Sequence, residues 1–284
     1  MAITISSRKA AEILNFNEST IKRWADSGIL KCFKTPGGHR KFNLDDIRKL
    51  AEDHKLENTK IESFDTHILK VSVVKKHDYK YLTKEFTKII LSGDTENTYN
   101  FLYTLFQNDY SHEEVFDKIV KESMSGIGVN WKESKLGIQN EHVASNTVIS
   151  SLYKLEKFLF KKRSNNKTAV CAGFENEFHE IGLICVRITL ESAGWNVIYP
   201  GINLPVKSLT ELIGKTKPDL VCLTTNFTGD NKIAENELLK VISSCNNSGS
   251  RLIIGGRNNL KLKLSAGISF CSSIADFKNQ LKNI

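Results

Sequence analysis

Apolar positions along the chain fall into three successive regimes. From Ser6 to Leu14 they recur at helical spacing, with Ala10, Ala11, Ile13 and Leu14 facing inward behind a Ser6 or Ser7 cap. A turn at Asn15–Asn17 leads into a second helix, Glu18–Ser27, with Ile21 and Trp24 on its buried side. Its outer face carries Thr20, Lys22 and Arg23, and Gly28 stops it. Lys31–Phe42 reads as a hairpin turning at Thr35-Pro36-Gly37-Gly38, and a third helix runs from Leu44 to about Asp53 through Ile47 and Leu50. No proline then occurs before Pro200, and Gly93 is the sole glycine between Lys41 and Ser125, so a long helical stretch follows. It is expected to break near Gly93, Tyr110-Ser111 and Ser134–Gly137.

The last third changes period. Short apolar, β-branched runs predict strands near 168–173, 196–199, 219–224, 251–255 and 267–270. Helices are expected after each of the first four, and Ser273–Lys282 closes the chain. Strands alternating with helices mean an open, doubly wound parallel sheet. The expected domains are a small reader at 1–54, a polar linker at 55–75, a helical bundle at 76–162 and the sheet domain at 167–284.

Composition adds three constraints. No run approaches the roughly 18 apolar residues of a membrane span. The N-terminus lacks a secretion signal, so a cytoplasmic protein is expected. Six scattered cysteines without a Cys-x-x-Cys pair fit neither a disulfide framework nor a zinc site. The net charge of +8 is concentrated at the front: residues 1–50 hold ten Lys/Arg against five Asp/Glu, the footprint of a nucleic-acid surface.

A basic second helix followed by a basic hairpin presents a helix to a major groove and a wing to the adjoining backbone of double-stranded DNA. Thr20, Lys22, Arg23, His39, Arg40 and Lys41 are the candidate contacts, the wing cations mostly neutralising phosphates. This stretch, Ser6–Leu50, resembles the MerR-type winged helix-turn-helix, and Thr35–Phe42 is a close match to its wing.

Phe-Glu-Asn-Glu-Phe-His-Glu-Ile-Gly, residues 174–182, lies where the first sheet strand ends and a helix from about His179 to Ala193 begins. His179 therefore sits at the carboxyl edge of a parallel sheet, where open α/β folds place ligands. A neutral imidazole there can ligate a transition metal, with Glu177 steadying the second ring nitrogen. By itself such a histidine is by default the mark of an ordinary surface loop. The spacing of Glu177, His179 and Gly182 resembles the Asp-x-His-x-x-Gly signature of cobalamin-binding domains, with glutamate in place of aspartate. That resemblance implies a Rossmann-like (flavodoxin-like) domain in which His179 is the lower ligand of cobalt. The displaced nucleotide tail would pass Thr224 and Gly255-Gly256. Thr224-Thr225-Asn226 departs from the family's Ser-x-Leu but keeps a hydroxyl.

Trp131 is followed, after nine residues, by Glu141-His142. This resembles the Trp-x9-Glu-His motif of the cobalamin-dependent photoreceptor repressors, the CarH/CarA/LitR family. The resemblance implies a four-helix bundle capping the corrin, with Trp131, Ile138, Glu141 and His142 facing the upper side of the cofactor. It further implies adenosylcobalamin as cofactor, a dark homo-oligomer (dimer to tetramer) on operator DNA, and release in light without enzymatic turnover. Lys132 stands where many members have a histidine, so no stable bis-histidine adduct is expected after photolysis. Other readings compatible with these residues are a corrinoid methyl carrier, a regulator that senses cobalamin or works without it, and a DNA-binding protein whose sheet domain only oligomerises.

Overall fold

A computed structural model describes residues 4–35, 37–61, 78–132, 137–159, 163–225, 231–256, 268–282 and 284. The chain divides into two compact units, Met1–Phe158 and Leu159–Ile284.

The first unit begins with a strand that sequence periodicity does not reveal, β1 (Thr4–Ser6). Helix α1 (Ser7–Leu14) follows, its end capped by Ser6, whose hydroxyl accepts the Lys9 amide. It stops at Asn15 in the left-handed region, where the Phe16 amide reaches back to the Ala11 carbonyl. Helix α2 (Glu18–Asp26) buries Ile21 fully. Trp24, expected beside it, is only half-buried: it sits at the rim, edge-on to Phe16 at 5.0 Å. Strands β2 (Phe33–Lys34) and β3 (Arg40–Asn43) form the expected hairpin, closed by the Gly38 amide on the Thr35 carbonyl. β3 is central, pairing also with β1 so that Ile5 lies opposite Phe42, both fully buried. Helix α3 (Leu44–Asp53) completes this winged helix through Ile47 and Leu50.

The helical stretch comprises α4 (Tyr79–Leu91), α5 (Thr95–Gln107), α6 (His112–Val115), a π turn at Phe116–Lys121, α7 (Glu122–Lys132) and α8 (Ile138–Glu156). Asp78 and Asp94 cap α4 and α5, and Ser111 with Glu114 forms a capping box before α6. The first two breaks fall at Gly93 and Tyr110-Ser111 as expected; most of Ser134–Gly137 lies outside the described residues, as does most of the linker. Thr98 to Leu105 of α5 are buried on every side, so this helix is wrapped rather than amphipathic.

The second unit is a five-stranded parallel sheet: β4 (Thr168–Gly173), β5 (Asn196–Gly201), β6 (Leu220–Thr224), β7 (Arg251–Gly255) and β8 (Ile268–Cys271). Its order, β5-β4-β6-β7-β8, is doubly wound, and the direction of winding reverses between β4 and β6. Helices α9 (Ile181–Ser192) and α12 (Ile274–Leu281) cover one face, with Leu183, Leu190 and Phe277 on Cys171, Cys222 and Ile253. Helices α10 (Val206–Thr216) and α11 (Asn231–Ser248) cover the other, with Leu209, Ile213, Leu238 and Val241 on Val170, Val221 and Leu252. The helix expected after the fourth strand falls outside the described residues. The helix expected from His179 starts at Ile181, because Glu177 takes the His179 amide and holds that residue in the loop. Cys171, Cys185, Cys222 and Cys245 are buried thiols; burial raises Cys245 to about 12 and Cys222 well above the ordinary range.

Candidate functional site

The reversal point between β4 and β6 is where the candidate histidine stands. β4 ends at Gly173, where a β-carbon would meet the Ile202 backbone at 2.7 Å, so only glycine lets the two segments pass. The loop beyond is tied on both sides. The Phe174 amide donates to the Thr224 carbonyl at 3.0 Å, and the Asn176 amide to the Asn203 side chain at 2.9 Å. The Glu177 amide closes on the Phe174 carbonyl at 2.9 Å. These bonds bury the Glu177 carboxylate at 4% exposure.

One oxygen of that carboxylate serves His179 twice. It accepts the His179 amide at 2.7 Å and lies 2.7 Å from Nδ1. With its proton on Nδ1, the ring donates to the carboxylate and carries its lone pair on Nε2. The ring itself is 79% exposed. A buried, charge-assisted anchor thus fixes the tautomer and orientation of a histidine standing out into solvent.

Small residues form the strand ends there. Gly173, Thr224 and Gly255 lie opposite one another at the ends of the three central strands. A β-carbon at Gly255 would meet nothing closer than Cys271 Sγ at 3.8 Å, so the protein's own packing does not require glycine there. Gly256 has φ +112 and needs glycine. Gly182 faces open space. Thr224 is half-buried, while its neighbour Thr225 is buried and donates its amide to the Gly255 carbonyl; Asn226 lies outside the described residues.

In the first unit, Trp131 lies near the end of α7 and Glu141-His142 in the first turns of α8. The side chains of Trp131 and Lys132 lie outside the described residues. Ile138, Glu141, His142 and Ser145 follow at the i, i+3, i+4, i+7 spacing of one helix face, Glu141 accepting the Ser145 hydroxyl at 3.0 Å. Ile138 is 52% exposed, and Val129 and Val143 are exposed as well.

A helix-turn-helix domain model matches residues 5–55, and a B12 binding domain model matches residues 82–156. The HTH-type transcriptional repressor CarH of Myxococcus xanthus is 27% identical over 112 residues, covering 39% of this chain and 37% of that protein. The dimethylamine corrinoid protein of Methanosarcina barkeri is 23% identical over 128 residues, covering 43% of this chain and 60% of that protein. The chain thus spans less than two thirds of the length of these curated relatives. The monomethylamine corrinoid protein of Methanosarcina barkeri shares the fold, with a TM-score of 0.60 at 13% identity over 72% of this chain and 99% of that one. A helix-turn-helix domain joined to a B12 binding domain fits a regulator rather than an enzyme, and no helix among the described residues is long and apolar enough to cross a membrane.

Among the described residues no three His, Cys, Asp or Glu cluster to hold a metal ion unaided. The His179 ring offers a metal one nitrogen donor, Nε2. A macrocyclic cobalt, which brings its other donors with it, fits that single nitrogen, and the small residues at the Gly173–Thr224–Gly255 edge fit a bulky attached group.

On the reader, Lys22 and Arg23 are exposed and Thr20 half-buried, Lys22 pairing with Glu18 at 2.8 Å. His39 is exposed at the wing tip, and Arg40 pairs with Asp26 of α2 at 2.6 Å, linking wing to helix. Lys41 donates to Gln107 of the bundle at 3.0 Å, and burial lowers its pKa. Lys9 enters the sequence reading only as one basic charge, yet it is 1% exposed. Its ammonium donates to Asn100 at 2.9 Å, pairs with Glu12 at 3.2 Å and lies 4.2 Å from the Tyr99 ring centroid. Only its i, i+4 relation to Ile13 hints at an inward position.

Proposed function

We propose that the chain is a cobalamin-dependent, MerR-type transcriptional regulator of the photoreceptor kind, with His179 as the lower ligand of cobalt. The observation that carries this reading is the exposed His179 ring, anchored by the buried Glu177 carboxylate at the sheet's reversal point. Residues 167–284 hold the cofactor, with Gly182, Thr224, Gly255 and Gly256 leaving passage for its tail. Residues 76–162 cover the upper face through Trp131, Ile138, Glu141 and His142. Residues 1–54 read operator DNA, through a linker at 55–75. Adenosylcobalamin, when bound, supplies a cobalt–carbon bond that green or shorter-wavelength light can cleave. The chain's own part is to couple occupancy of the site to assembly, since several weak readers bind tightly only while linked.

The test combines gel shifts and size exclusion, on duplexes selected from a random-sequence library. The protein carries adenosylcobalamin, methylcobalamin or nothing, in darkness and after green light. The expected result is a dark, adenosylcobalamin-dependent oligomer on DNA that dissociates in light. DNA binding by the apoprotein regardless of light removes the photoreceptor reading and leaves a cofactor-independent regulator, which the departures at Thr224–Asn226 and Lys132 favour. Undiminished cobalamin retention by His179→Ala removes the ligand assignment.

A further inference from the structure

The winged helix is fastened to the bundle by a cluster of charged groups around the buried Lys9. Glu12 of α1 receives both Lys9, at 3.2 Å, and Lys154 of α8, at 3.1 Å, and Lys154 also pairs with Glu96 of α5 at 2.5 Å. Both ammonium groups approach the Tyr99 ring, Lys9 at 4.2 Å and Lys154 at 4.3 Å from its centroid, and its hydroxyl donates to Glu12. Arg8 donates to the Lys157 carbonyl at 3.0 Å and lies over the Phe158 ring. Of these ion pairs, Lys154–Glu12 crosses from the bundle to the winged helix, and with the Lys9–Asn100, Tyr99–Glu12 and Arg8–Lys157 hydrogen bonds it holds the winged helix in one orientation.

That orientation brings the wing against the end of α5. There Lys41 gives its ammonium to Gln107 at 3.0 Å, and the carboxylate of Asp109, just beyond the helix, acts on the same group. Two other candidate DNA contacts of the reader are held differently. Lys22 and Arg40 pair within the winged helix, with Glu18 and Asp26, in partly exposed bridges that yield readily to a phosphate. Lys41 is half-buried, and its partners belong to the bundle.

We infer that Gln107 and Asp109 occupy the place of a DNA phosphate at Lys41, so that docking of the wing on the bundle and full engagement of the wing on DNA compete. The inference rests on the reading of the wing as a DNA contact. Release of the wing frees one additional phosphate-neutralising cation without altering the recognition helix.

The test uses the full chain with a short fluorescent duplex of mixed sequence, titrated by anisotropy between ~50 and ~200 mM salt. Gln107→Ala/Asp109→Asn is expected to bind several-fold more tightly than wild type. Its log–log salt slope should steepen by about 0.9, the value of one phosphate contact. Adding Lys41→Gln should abolish both gains; gains that persist mean the lost charge of Asp109 acted through the general field, and the inference is wrong. Acetic anhydride labelling read by mass spectrometry reports docking without DNA. Lys41 should be protected relative to exposed Lys34 in the wild type and equally reactive in the double variant. Equal reactivity in the wild type overturns the docking. Protection of Lys41 without duplex binding by either protein overturns the DNA reading and the competition with it, while docking stands.

Discussion

Replacing Lys9 by methionine keeps the aliphatic stem and removes the ammonium. The effect follows from two opposed terms. Burial is the larger influence on this amine and lowers its pKa from 10.5 to about 8, against the attraction of Glu12. The unfolded chain therefore holds the Lys9 proton more tightly than the folded one. Protonation works against folding by roughly 3 kcal/mol below pH ~8, at 1.36 kcal/mol per unit, and this penalty fades as pH rises toward 10.5. Methionine escapes the penalty but leaves the Asn100 side-chain oxygen without its donor, a loss of about 1–3 kcal/mol. At neutral pH the two nearly cancel, so Lys9→Met should lie within about 2 kcal/mol of wild type. The pH profile separates them. Between pH ~7 and ~9.5 the wild type should gain roughly 2 kcal/mol relative to the variant. Burial holds Tyr99 above its usual range and Tyr103 at about 12, so neither phenol ionises in the fold within that window. Urea unfolding in a Trp195→Phe background, where emission comes from Trp24 and Trp131, reports this unit. Parallel pH profiles would refute the reasoning, showing that Glu12 and the tyrosine rings fully offset the burial.

Three further outcomes follow from the cofactor site. Glu177→Gln removes the charge behind His179 and should weaken cobalamin binding by about 10–100-fold, measured by titration at the cobalamin absorption bands; unchanged affinity would show that the anchor is dispensable. Gly173→Ala places a β-carbon 2.7 Å from the Ile202 backbone and should cost about 1–3 kcal/mol of stability, whereas Gly255→Ala, with its nearest contact at 3.8 Å, should leave thermal unfolding almost unchanged yet impair cobalamin binding. Illuminated wild type should lack a bis-imidazole absorption spectrum and Lys132→His should gain one, since a protonated amine has no lone pair to offer.

What could be read from the residues was local. All five parallel strands are short β-branched runs bounded by breakers, and the structure places them within two residues of expectation. The Glu177–His179 pair was legible for the same reason: donor and acceptor are two positions apart, so spacing alone brings them together. β1 was not legible, because three residues with Ile5 alone facing the core carry no period, and the pairing partner β3 lies far along the chain. The start of α9 was misplaced by two residues because a side chain competed with the backbone for an amide. Burial of Lys9 left only the faint trace of its i, i+4 relation to Ile13. It depends on Asn100, 91 positions away, and on aromatic rings that read simply as bundle core.

The course of α8 gives these distant contacts a common axis. Glu141 and His142, the residues proposed to face the upper side of the cofactor, lie in its first turns; Lys154, which braces Glu12 and Glu96, lies in its last. Thirteen residues of helix separate Glu141 from Lys154, about 20 Å at 1.5 Å per residue, and over that length a packed helix moves as one body. If the proposed group at Glu141 displaces α8, the same helix carries that shift toward Lys154 and its bridge to Glu12. The bridge from Lys154 to Glu12 is the ion pair of the Lys9 cluster that crosses from α8 to the winged helix. Loss of Lys154 should accordingly uncouple occupancy from DNA affinity while leaving cobalamin affinity intact: Lys154→Met, assayed for both, separates transmission from binding. If cobalamin still shifts DNA affinity in that variant as in wild type, the path does not run along α8.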